Sequence, residues 1–171
     1  MLTQVTELSS LSAIIRELVK RLKEAPVIGY SPFLNYTLTC YSFEDTLHLV
    51  LQDNESFVAH MQLVPYCIDI GIQGMVAVHQ THVYLAKDYR GLGIAYRLYE
   101  WAAQRWTLIP SDKHSQGANR IWQKLTENLP TMYLRRRSKK HQRYEIVAPF
   151  GRRQFKTMPS YHVMIGVFVN P

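Results

Sequence analysis

Hydrophobic residues set the first divisions of the chain. Leu8, Leu11, Ile14, Ile15, Leu18, Val19 and Leu22 recur at three- and four-residue steps, which predicts an amphipathic helix from about Thr6 to Glu24. Pro26 and Gly29 end it. Tyr30 to Phe43 is aromatic and hydroxyl-rich, contains Pro32 and follows neither the helical nor the strand period, so the pattern assigns it no element. Thr46 to Leu51 and Phe57 to Val64 are β-favouring runs around the polar segment Gln52 to Ser56, and they predict a hairpin. Gly71 and Gly74 break the chain again, and Met75 to Leu85 predicts a long strand. Ile94, Leu98, Trp101, Ala102 and Trp106 return to helical spacing. Thr107 to Ile109 is a short strand closed by Pro110, and Ser115 to Asn128 is a helix with Ala118, Ile121, Trp122 and Leu125 inward, stopped by Pro130. Met132 to Arg137 and Tyr144 to Ala148 flank a basic turn, and Tyr161 to Val169 is the final strand. This order predicts an α/β (α+β) architecture, a mixed central sheet with helices on both faces, in one domain over residues 1–171.

The most informative stretch is Val83-Tyr84-Leu85-Ala86-Lys87-Asp88-Tyr89-Arg90-Gly91-Leu92-Gly93-Ile94-Ala95-Tyr96. A strand runs into a short polar loop, then into two glycines one residue apart, then into a helix. Such glycines permit positive φ and keep Cβ atoms away from the amides. With the first N–H groups of the following helix they form a donor array suited to a phosphate, and Arg90 adds a charge that can pair bidentately.

Composition narrows the setting. The chain is 47% hydrophobic and 19% charged, a globular balance that argues against disorder. It has two cysteines, Cys40 and Cys67, and no C-x-x-C, which implies a reducing, cytoplasmic setting with both thiols buried rather than bridged. The start lacks a basic n-region and no apolar run reaches spanning length, so a soluble protein without a membrane partner is expected. The net charge of +7 is concentrated. Arg135 to Lys156 holds nine Lys and Arg against the single acid Glu145, while the rest of the chain holds 11 basic and 12 acidic residues. Arg135, Arg136, Arg137, Lys139, Lys140 and Arg143, with Tyr133 and Tyr144 at the shoulders, suit an acidic protein or RNA, or simply solvate a turn.

Arg90, Gly93 and Ala95, preceded by Tyr89 and followed by a helix, resemble the Gln/Arg-x-x-Gly-x-Gly/Ala loop of the GCN5-related N-acetyltransferase (GNAT) superfamily. The detailed likeness covers about residues 78–125; the basic C-terminal hairpin and last strand, 131–169, agree in order of elements. The tract Ser111 to Ala118 followed by Trp122 also looks similar to divergent acetyltransferase-like proteins of bacteriophages. The resemblance implies the acyl-CoA N-acyltransferase fold with a splayed sheet, acetyl-CoA (coenzyme A) as cofactor, no metal, and transfer of acetyl to an amine acceptor. It implies that Arg90, Gly91, Leu92, Gly93, Ile94, Ala95 and Tyr96 hold the pyrophosphate. It implies too that Val83, Tyr84 and Leu85 offer a free strand edge to the pantetheine chain, with an N–H for the thioester oxyanion. The second strand of the splayed pair would be Trp106 to Ile109, and Phe33, Tyr36 and Tyr41 could line the acceptor cleft.

An amine must arrive deprotonated, so a base is useful. The family often carries one about ten residues before the loop motif, which falls at Gln80. His82, on the same strand face, is the expected base; Glu55 and His60 are weaker candidates. His79 faces the other way and makes no metal pair with His82. The family's Asn-x-x-Ala-x-x-x-Tyr frame reads here as Ser115-x-x-Ala118-x-x-x-Trp122, so Ser115 and Trp122 stand at the positions that assist the leaving thiolate. An indole does not transfer a proton near neutral pH. Either Ser115, His114, Tyr96 or solvent supplies the proton, or the thiolate leaves unassisted, or catalysis is lost. The resemblance therefore implies an N-acetyltransferase. The alternatives are a catalytically silent relative that binds through its basic hairpin, and a toxin-like enzyme acting on aminoacyl-tRNA.

Overall fold

A computed structural model describes residues 13, 15, 17, 18, 20–54, 56–71, 74–111, 115–147 and 161–166. Its chain divides into two compact units, the first built from residues up to 62 with 83–92, the second from 63–82 with 93 onward. Mixed strand directions and helices make it an α+β protein.

The first unit holds the end of an N-terminal helix, α1, whose described helical positions are 13, 15, 17, 18 and 20–22. Strands β1 (Val27–Phe33), β2 (Tyr36–Phe43), β3 (Thr46–Asp53) and the start of β4 (Ser56–Asp69) follow, adjacent in that order. β1 to β3 form an antiparallel meander, with Phe33↔Tyr36 and Phe43↔Thr46 closing its two turns. Leu34, Glu44, Asp45 and Asn54 supply the positive φ angles at the corners, with no glycine among them. Leu38, Thr39 and Cys40 are all buried, as are His48, Leu49, Val50 and Leu51. Consecutive side chains of a strand point to opposite faces, so both faces of this sheet are covered at its centre.

The second unit continues β4 and adds β5 (Met75–Leu85) as far as His82, α2 (Ile94–Ala103), β6 (Leu108–Pro110), α3 (Gln116–Asn128), β7 (Thr131–Ser138), β8 (Arg143–Ile146) and β9 (Tyr161–Ile165). Its strands lie in the order β4-β5-β6-β9-β7-β8, with a further β4–β8 bridge at Asp69↔Arg143. β5 and β6 are parallel, through His79↔Leu108, Gln80↔Ile109 and Thr81↔Pro110. β9 is antiparallel to both β6 and β7. Ile68, Ile70, Val78, Ile109, Leu134, Tyr144 and Met164 form its apolar core.

The long strand, the helix after the loop, the short β6 and the capped α3 coincide with the periodic segments of the sequence. The Thr6–Glu24 helix is described only from residue 13, and the last strand is described to Ile165. Tyr30 to Phe43, which the pattern leaves unassigned, forms most of the first hairpin. Pro32 is tolerated there because β1 is the outermost strand in its sheet order. Both cysteines are free, but Cys67 is exposed, against expectation: the outer stretch of β4 turns alternate residues to solvent.

Gly166 follows β9 with φ +124°, and a Cβ there would lie against the carbonyl oxygens of Trp106 and Ala103. Backbone cannot rotate away as a side chain can. Gly166→Ala should therefore cost about 3 kcal/mol, from overpacking and dihedral strain. Thermal melts should show a drop of roughly 2–4 °C per kcal/mol for a chain of this size. Gly117→Ala, on the exposed start of α3 with only Ser115 Oγ nearby, should instead stabilise slightly.

Candidate functional site

β5 sets the geometry of the loop it feeds. His79 N–H donates to the carbonyl of Thr107, so odd-numbered residues of β5 turn their backbone groups toward the β6 side. The register with β6 ends at Thr81↔Pro110, while β5 continues to Leu85. On the other side Ala86 N–H donates to Val58 O, which ties the strand end to β4. Lys87–Tyr89 makes one 3-10 turn.

Gly91 (φ +81°) and Gly93 (φ +77°) then take the left-handed conformation, and nothing lies within 4 Å of where their Cβ atoms would stand. The requirement for glycine here is dihedral rather than steric. Gly93 is the N-cap of α2; it offers no capping side chain, and the first turn holds no acid. The first intrahelical bond is Arg97 N–H to Gly93 O, so the N–H groups of Ile94, Ala95 and Tyr96 have no intrahelical acceptor. An uncapped first turn with its positive dipole end favours an anion. α3 contrasts with it: Ser115 is its N-cap, and the hydroxyl accepts from Ala118 N–H at 3.2 Å.

Arg90 is exposed and folds back on its own loop, donating through Nε and Nη2 to Leu85 O, each at 3.2 Å. In this state it latches the loop to the strand end. Leu92 is exposed, Ile94 is buried in the first turn of α2, and Tyr84 packs on Phe57 with ring centroids 5.9 Å apart. Tyr96 is held by α3: Asn128 Nδ2 donates to its hydroxyl at 3.2 Å and the Lys124 ammonium stands over its ring.

The titratable candidates separate by environment. His82 is exposed, yet partial desolvation still lowers its pKa below 6.5, which keeps it neutral and able to accept a proton at pH 7. His79 packs against Trp106. His60 is buried and pairs with His48, a residue the sequence did not single out. His48 Nδ1 and His60 Nε2 are 2.9 Å apart, with rings stacked at 16° and Phe43 edge-on to His48. Burial, then the neighbouring imidazole, pushes His60 down to about 4. Burial lowers His48 too, against an opposing pull from Glu44. No periodicity marks such a pair, because the two histidines are brought together only by strand packing. Glu55 and His114 lie outside the described residues.

Trp122 is only 1% exposed and meets Tyr99 of α2 edge-on, with centroids 5.4 Å apart. Its indole N–H hydrogen-bonds the Tyr99 hydroxyl, which also lies 3.4 Å from Thr81 Oγ1 on β5. The position read from the sequence as an acid is thus a packed core residue bonded to a buried phenol. Tyr99 drew no attention in the sequence because it looks like one more inward residue of α2. Phe33 is buried, and Tyr36 meets Tyr89, whose hydroxyl is 3.4 Å from Asp53 Oδ2. Tyr41 stands opposite His48 in the β2–β3 register.

The basic hairpin is more neutralised than its composition suggests. Glu145 bridges Arg135 (3.3 Å) and Arg137 (2.6 Å), and Arg143 Nε lies 3.6 Å from Asp69. Tyr144 is 2% exposed, so it offers no stacking face to a base. Arg152, Arg153 and Lys156 lie outside the described residues. No helix among the described residues is long and apolar enough to cross a membrane.

No protein-family model, curated protein or solved structure matches this chain.

The histidine pair gives a pH prediction. Its folded pKa values lie below the unfolded value of about 6.5, so the unfolded chain binds more protons at acid pH. The full stability is present above pH ~6.5 and falls as pH drops toward His60's value of about 4. The loss attributable to His60 should be about 3 kcal/mol. Denaturant melts across that window should show it, and His60→Gln should flatten the slope.

Proposed function

We propose that the chain is an acetyl-coenzyme A-dependent N-acetyltransferase of the GCN5-related type, acting on an amine. The observation that carries this reading is the passage from β5 into α2. A parallel strand outruns its partner, turns through two left-handed glycines and opens into an uncapped helix free of acids in its first turn. That arrangement suits a pyrophosphate at Arg90–Ala95 and an extended amide-bearing chain along Val83–Leu85. Acetyl-coenzyme A supplies the acetyl group as an activated thioester.

The protein's own contribution is positional and electrostatic. Val83 N–H can donate to the acyl oxygen as charge develops there. His82, neutral at pH 7, can take the proton of an incoming ammonium. Trp122 carries no transferable proton, and the phenol beside it belongs to Tyr99. Tyr99 is the better candidate for the leaving thiolate's proton, with Trp122 and Thr81 holding its hydroxyl. A silent relative that binds the cofactor without chemistry is the second reading. It is favoured by the same burial of Tyr99 and Trp122, which serves packing equally well.

Calorimetric titration with coenzyme A tests the first step. Wild type should bind, and Gly93→Ala should weaken binding about tenfold or more while costing only ~1–2 kcal/mol of stability through its left-handed φ. Absence of binding by a folded wild type would overturn the cofactor assignment. Turnover against a panel of amines tests the second. Tyr99→Phe should lower kcat roughly 10²-fold with KM unchanged if the phenol gives the proton. His82→Gln should remove the acid limb of the kcat/KM profile. Bound coenzyme A with no turnover of any amine would favour the silent relative.

A further inference from the structure

Away from β5, the second unit carries a pocket of about 390 Å³ lined by Gly71, Arg137, Ser138, Arg143, Tyr144 and Glu145. Its walls are the tip of the β7–β8 hairpin and the turn after β4. The register between β7 and β8 shifts between Arg136 and Ser138, a bulge that brings Arg137 and Arg143 to the same rim. Main chain fixes the two walls together, through Asp69 N–H donating to Gln142 O at 3.1 Å.

Both guanidinium groups are paired with a carboxylate, and one of the two, Glu145, is itself part of the lining. Glu145 takes Arg137 through Nη2, and Asp69 faces Arg143 through Nε while its Oδ1 accepts from Gly71 N–H at 2.8 Å. Exposed ion pairs of this kind contribute little to stability. What they do is hold two long side chains in place, so that less rotamer entropy is lost when a ligand arrives. A guanidinium has five N–H donors in a fixed fork, and a single carboxylate engages one edge. Ser138 Oγ accepts from His141 N–H, which leaves its own hydroxyl hydrogen able to donate. Lys139 and Lys140 add positive potential nearby without lining the pocket.

We propose that this pocket binds the phosphate group of a small phosphorylated molecule. Two forked cations and a hydroxyl match the several oxygens of a phosphate better than they match the two of a carboxylate. The volume exceeds that of the anion alone and falls in the range of small-molecule sites. Concavity and the burial of Tyr144 count against a nucleic-acid strand, which needs a groove and stacking faces. The site is independent of the coenzyme A reading, and the Gly93→Ala protein should retain it.

The test is a titration of the full chain with inorganic phosphate at low ionic strength, followed by amide NMR. Saturable shifts at Gly71, Ser138 and Arg143 are expected in both wild type and Gly93→Ala. Arg137→Gln and Arg143→Gln, both at exposed positions, should each raise Kd about tenfold, whereas Lys139→Gln and Lys140→Gln should change it less than about threefold. Equal losses from the arginine and lysine variants would mean diffuse attraction and overturn the proposal. So would shifts that fail to saturate. A single-stranded oligonucleotide that bound far more tightly than phosphate, through the same arginines, would reassign the surface to a polymer and overturn it as well.

Discussion

A helix begins with N–H groups that have no acceptor of their own, and the passage from β5 into α2 adds no capping side chain to meet them. β6 is three residues long and its register with β5 ends at Thr81, before β5 itself ends at Leu85. Everything downstream is arranged around that end. Arg90 covers the carbonyl of Leu85, the 3-10 turn follows, and Gly91 and Gly93 deliver the chain to a helix whose first amides have no intrahelical acceptor. Interiors avoid this, and ligand sites use it.

The same economy explains what the sequence discloses. Met75–Leu85 and the two later helices were legible because burial imposes a period, and the loop was legible because positive φ imposes glycine. The first hairpin was hidden for the converse reason. Leu34 turns its corner at positive φ, and leucine is not a residue type that left-handed geometry favours. Tyr99 and His48 were hidden because their importance comes from a partner distant in sequence. Trp122 was visible only as a departure from a familiar frame, and the packing that accounts for it involves Tyr99, from the helix before.

Charge gave a similar half-truth. The sequence locates the basic excess in the C-terminal hairpin but cannot say that Glu145 lies between two of its arginines or that Asp69 meets a third. Those pairings turn a solvated run into a shaped surface, with some guanidinium edges spent on carboxylates.

The stacked imidazoles of β3 and β4 carry one further consequence. With nitrogens 2.9 Å apart, one hydrogen must lie between His48 Nδ1 and His60 Nε2, since two would collide and none would leave two lone pairs facing. If His48 donates, its Nε2 is bare and His60 carries hydrogen on Nδ1; if His60 donates, both assignments reverse. Neither ring can change tautomer by itself. The two behave as one object with two mirror states, and a probe of either nitrogen pattern reads the other.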